Sequence, residues 1–164
     1  MATMLEVRVH AALTEAAINH EEFACNPELA DTTVFCEEYG FEPHQAANTI
    51  LVAGKADPKI FAACVVLATT KLDVNKKVCK ELGVKRASFA NAEQTTELSG
   101  MMIGGVTIFG LPTEMPILVD SRVLESSQVV MGGGNRSSKV LLNPKELEKL
   151  SNLRIVEGLA LSKE

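Results

Sequence analysis

The sequence predicts an α+β fold: a single domain spanning residues 1–164, with a mixed, curved β-sheet around a cleft and helices packed outside. Three observations lead there. Helix signals dominate the first half and strand signals the second, which argues against a regularly alternating doubly wound sheet. The second half is broken into short apolar runs by glycine and proline. At 164 residues with 46% of them apolar, the chain can bury one sizeable core but not two.

Each element has its own signal. Thr3-Met-Leu-Glu6 forms a capping-box pattern, and Leu5, Val9, Ala12, Leu13 and Ala16 follow at helical spacing, so a first helix should run to about His20. A short strand over 22–25 leads through Asn26-Pro27 to a second helix between Asp31, an N-cap type, and Gly40, a C′ type. The apolar runs 48–53 and 61–68, separated by the turn-like segment 54–58, predict a hairpin in the core. Residues 73–83, with Asp73 in front and Gly83 behind, predict a third helix. Asn91-Ala-Glu-Gln94 starts a fourth that Gly100 stops. Strands are expected over 103–108, 115–120, 128–132 and 138–142. Asn143-Pro144-Lys-Glu146 then opens a last helix before a strand near 153–156.

Composition excludes several classes of function. The longest apolar run, 60–68, is well short of the ~20 residues of a membrane span, and no basic-then-apolar leader opens the chain, so a cytoplasmic location is expected and no membrane partner. A net charge of −5 argues against non-specific coating of DNA or other nucleic acid, while leaving room for a local basic patch. Cys25, Cys36, Cys64 and Cys79 show neither C-x-x-C spacing nor a neighbouring histidine. They read as small buried apolar residues, with no metal and no cofactor expected. His10, His20 and His44 read as surface residues, since no G-x-S-x-G elbow accompanies them.

Two glycine-rich segments stand out: GMMIGGVTIFG at 100–110 and MGGGNRSSK at 131–139. Neither meets the context of a phosphate loop, which needs a strand before it and a helix after. Taken alone each is a tight turn or a place where another backbone or a ligand comes close.

Read in order, the segments LDVNKKVCKELGVKRASFANAEQTTELSGMMIGGVTIFG, MPILVDSRVL and VVMGGGNRSSKVLLNPKEL resemble the family of YbaK and the editing domain inserted in bacterial prolyl-tRNA synthetases. The resemblance covers roughly residues 30–158. It implies a metal-free aminoacyl-tRNA deacylase acting in trans on the ester of a mischarged small amino acid, with aminoacyl-tRNA as partner and the terminal ribose hydroxyl assisting. The alternative is a catalytically lapsed module that binds a small amino acid, aminoacyl-tRNA or a protein.

The resemblance also assigns residues. Gly104, Gly105, Val106, Thr107 and Ile108 would line one wall of the pocket, and Gly133, Gly134, Asn135 and Arg136 the opposite turn. Asp120 would end the strand between them, or simply cap the turn at Ser121. The family's lysine at the start of the hairpin is Asn48 here, which brings an amide without the charge, and the family's loop proline is Ile108. Lys55 and Lys71 are substitutes in charge only. Lys76, Lys77, Lys80, Lys85 and Arg86 form a basic cluster that is either a solvated face or a landing strip for tRNA phosphates. Asn48, the loop 104–110 and the turn 132–136 are expected to converge on one pocket.

Overall fold

The computed structural model describes residues 4–162. Helix α1 (Val7–Glu15) is capped by Glu6, whose carboxylate accepts the Arg8 amide at 2.8 Å. The expected cap, Thr3, lies outside the described residues. The helix also stops earlier than the apolar spacing suggests, because Ala17 takes a φ of 55° and the Ile18 amide turns back to the Leu13 carbonyl.

Strand β1 (Glu21–Ala24) is followed by α2 (Thr32–Tyr39), which Gly40 ends in the left-handed region as its position predicted. Strands β2 (Ala47–Gly54) and β3 (Ile60–Leu67) form the expected hairpin, paired along their whole length. After β4 (Thr70–Leu72), the Asp73 side chain caps a π-helical turn, Val74–Val78, that runs into α3 (Cys79–Leu82). Strand β5 (Ala87–Phe89) precedes α4 (Ala92–Ser99), where Asn91 and Gln94 close a reciprocal capping box at 2.8 and 3.0 Å. Then come β6 (Ile117–Asp120), β7 (Val129–Gly132), β8 (Ser138–Leu142), β9 (Leu153–Val156) and β10 (Ala160–Ser162).

The fold is α+β with a mixed sheet, as the sequence predicts. Its five-stranded sheet runs β5-β2-β3-β6-β9, antiparallel at β5-β2-β3 and parallel at β3-β6-β9. The remaining strands form β1-β8-β7 and β10-β4, and a parallel bridge from Ala46 to Val130 joins the first of these to the start of β2. Alternation along β2 and β3 buries both faces of the large sheet. Leu51, Ala63 and Val65 face one core together with Val9 and Leu13 of α1, whereas Val52, Ala62, Cys64 and Val66 face a second with Val78 and Leu159.

Two expected elements differ. Residues 103–108 form no strand: the Gly105 carbonyl accepts the Gly134 amide of the distant 132–136 turn, and no ladder forms. The last helix is a 3-10 helix, Pro144–Lys149, because Glu146 does not close a box on Asn143 but takes the Asn19 amide at 2.8 Å and pairs with Lys149. Among the described residues no helix is long and apolar enough to cross a membrane. All four cysteines are buried, and burial pushes the Cys64 thiol up to about 12.

Candidate functional site

The glycine segments approach each other. The Gly134 amide donates to the Gly105 carbonyl at 2.7 Å, and the Met102 amide reaches the Gly134 carbonyl at 3.4 Å. A Cβ on Gly105 would strike the Asn135 backbone, and one on Gly132 would sit 2.6 Å from the Val106 carbonyl oxygen. Gly104, at a φ of 91°, leaves the space that the Arg136 guanidinium fills. Close backbone packing therefore accounts for the glycine at these positions. Gly105→Ala is expected to destabilise the protein by about 1–3 kcal/mol through overpacking against a backbone that cannot rotate away, read as the shift in the denaturant midpoint.

Stitching the two segments opens a cleft of about 360 Å³ between them and the start of β2. Asn48, Thr49 and Ile50 border it from the strand, Gly104 and Val106 from the loop, and Gly132 from the end of β7. Asn48 is half-buried, and its amide oxygen accepts the Thr32 hydroxyl at 2.7 Å. That bond orients the side chain and leaves its NH2 group with no partner among the described residues. The Thr49 hydroxyl is buried and likewise unpartnered among them.

Lys139, from β8, also lines the cleft. The sequence reading passed over it, although a lysine inside the apolar run SKVLL is a visible anomaly. It is 6% exposed, its Nζ donates to the Ala30 carbonyl at 2.7 Å, and the Phe35 ring centroid lies 5.3 Å away. A carbonyl and an aromatic face offset part of the cost of burying an ammonium. Burial nonetheless pulls its pKa below the ordinary lysine range, the nearby Arg136 charge adding to that. Lys55 and Lys71 do not line this cleft.

The other sequence-predicted residues are absent from the lining of the cleft. Ile108 packs in the main core, and the fully buried Thr107 hydroxyl has no partner among the described residues. Gly133 backs onto Ser138, and Gly134 onto Glu6 and Val9. Asn135 braces its own turn, its Oδ1 accepting the Ser137 amide and the Ser138 hydroxyl at 3.0 and 2.8 Å. Arg136 donates twice to the Pro27 carbonyl and pairs with Asp31 at 3.2 Å, which fixes the start of α2 against the turn. Asp120 is fully buried at the end of β6; burial raises its carboxyl, opposed by the Arg122 charge and the Arg122 and Leu159 backbone. Of the basic cluster, Arg86 lies by β5, while Lys76, Lys77 and Lys80 belong to the π-helical turn and α3. No group of three His, Cys, Asp or Glu among the described residues could hold a metal ion.

The model of the aminoacyl-tRNA editing domain family matches residues 26–150. The uncharacterized protein YwhH of Bacillus subtilis (strain 168) is 30% identical over 135 residues, covering 81% of this chain and 83% of its own. Solved structures share the fold, and two serve as examples. One, described as a candidate trans-editing enzyme for prolyl tRNA synthetase, superposes with a TM-score of 0.83 at 22% identity over the full length of both chains. The other, the hypothetical protein APE2540, gives a TM-score of 0.83 at 19% identity over 93% of this chain and 99% of its own.

Proposed function

Because the chain belongs to the aminoacyl-tRNA editing domain family, we propose that it is a trans-acting deacylase, which hydrolyses the ester joining a small, wrongly attached amino acid to the 3′ end of a tRNA. The observation that supports this most is that one cleft is lined both by Asn48, whose NH2 group has no partner among the described residues, and by the buried Lys139. Water adds to the ester carbonyl, the C–O bond to the ribose breaks, one of the water's protons passes to the ribose oxygen and the other to solvent, and the amino acid leaves as its carboxylate. Negative charge grows on the carbonyl oxygen during the addition. An amide donor already oriented by Thr32 and a positive charge in a largely water-excluded wall stabilise that oxygen without reorganising. In this reading the loop from Gly104 to Val106 borders the amino acid, and the terminal ribose hydroxyl positions the water.

Ile50, Val106 and Ile103 make the lining partly apolar, and the cleft sits near the low end of ligand-pocket volumes. Such walls separate substrates differing by one methylene by only ~1–3 kcal/mol. Hydrolysis is therefore expected across tRNAs mischarged with Ala, Ser, Cys or Thr, measured as release of the labelled amino acid. Preferential hydrolysis of a large aromatic ester would contradict the assignment.

The uncharged amide at position 48, where the family resemblance implies a lysine, supports a second reading in which the same cleft binds without turnover. The same panel of charged tRNAs decides: rates at background on every member, with saturable binding retained, would establish the binding module.

A further inference from the structure

A second groove, of about 550 Å³, runs along the outer edge of the large sheet. Lys55, Lys59 and Arg86 line it, and none of the three takes part in an ion pair among the described residues. Among the described residues no carboxylate lines it, in a chain whose net charge is −5. β5 is the edge strand here: Phe89 lies opposite Val52, and the Lys55 amide donates to the Arg86 carbonyl at 2.8 Å, so the two residues are backbone neighbours at this edge. Phe89 lines the same groove and is 57% exposed, an unusual cost for a phenyl ring at a sheet edge.

The residues that line the groove adjoin, along the chain, residues that line the cleft. Phe89 faces the groove and the next residue, Ala90, lines the cleft; on α4, Gln94 lines the groove and Thr95 the cleft. The bond from the Ala90 amide to the Leu51 carbonyl, 2.8 Å, holds this junction to the strand bearing Asn48. Unpaired cations beside an exposed aromatic are the two features that bind single-stranded nucleic acid, charge for the backbone and a ring face for a base.

We propose that this groove binds the unpaired 3′ strand of the RNA whose terminal ester enters the cleft, with Lys55, Lys59 and Arg86 on its phosphates and Phe89 stacked on a base. The inference rests on the deacylase reading for its ligand, and it adds a path away from the cleft that differs from one over Lys76, Lys77 and Lys80.

The test uses the full chain and a fluorescent, uncharged hairpin RNA with four unpaired 3′ nucleotides, so that binding is read apart from hydrolysis. Three phosphate contacts on a single strand give a slope of about −2 in log K against log salt. Replacing Lys55, Lys59 and Arg86 together with Gln is expected to abolish most of that slope. Phe89→Ala is expected to weaken binding roughly 5- to 150-fold, and Phe89→Trp to restore it. Wild-type affinity in both variants, or loss of binding only when Lys76, Lys77 and Lys80 are replaced, would overturn the groove while leaving deacylation standing. Groove-dependent binding together with background hydrolysis of every charged tRNA would keep the groove and remove the deacylase.

Discussion

Asn48→Ala is expected to lower kcat for deacylation by roughly 10²-fold, the scale found when one preorganised donor to a developing oxyanion is removed. The substitution deletes the NH2 group that the Thr32 hydroxyl orients. It also leaves that hydroxyl without its acceptor, at a stability cost of about 1 kcal/mol, since the pair is only partly buried. A kcat loss with a nearly unchanged KM would show that the amide works in the transition state and not in holding the ground state. Asn48→Lys supplies the residue that the family resemblance implies at this position. A gain in rate would mean that charge at this position limits the enzyme, whereas a loss would mean that the amide is the residue in use. Equal rates in wild type and both variants would remove Asn48 from the mechanism.

Much of the fold was legible because its signals are local. Asp31 and Gly40 around α2, the Asn91–Gln94 box of α4 and the apolar alternation of β2 and β3 each depend on a few neighbouring residues. The strands β4, β5 and β10 were not legible, being three residues each, too short for a period to declare itself. The extended expectation for 103–108 gave way to tertiary contact: the run is apolar, but its partners lie in a turn almost thirty residues on. The candidate site divides in the same way. The glycine segments were visible, yet most of their glycines serve the packing of one segment on the other, which spacing along the chain cannot distinguish from the approach of a ligand. Lys139 is the converse, a charge whose placement depends on β8 passing beside α2.

Lys139 carries the second large effect, and it separates catalysis from stability. Removing the charge with Lys139→Met is expected to lower kcat by roughly 10²-fold while leaving stability at neutral pH equal or higher. Methionine fills a similar volume without a buried ammonium to desolvate, so the folded state loses the Ala30 bond and also the burial penalty. A lysine kept only for structure would give the opposite result, a weaker fold with intact turnover. The pH dependence fixes the sign. Burial lowers the folded-state pKa below 10.5, so between the two values the unfolded chain binds more protons. The penalty is therefore fully present at neutral pH, and it is relieved as pH rises through the lowered value toward 10.5. Over that same window the enzymatic rate, corrected for spontaneous ester hydrolysis, should fall as the ammonium is lost. Lys139→Met should show neither the alkaline fall in rate nor this contribution to the alkaline rise in stability. A wild-type rate that keeps pace with the spontaneous reaction through the whole window would show that the ammonium takes no part in stabilising the oxyanion, leaving Asn48 as its donor.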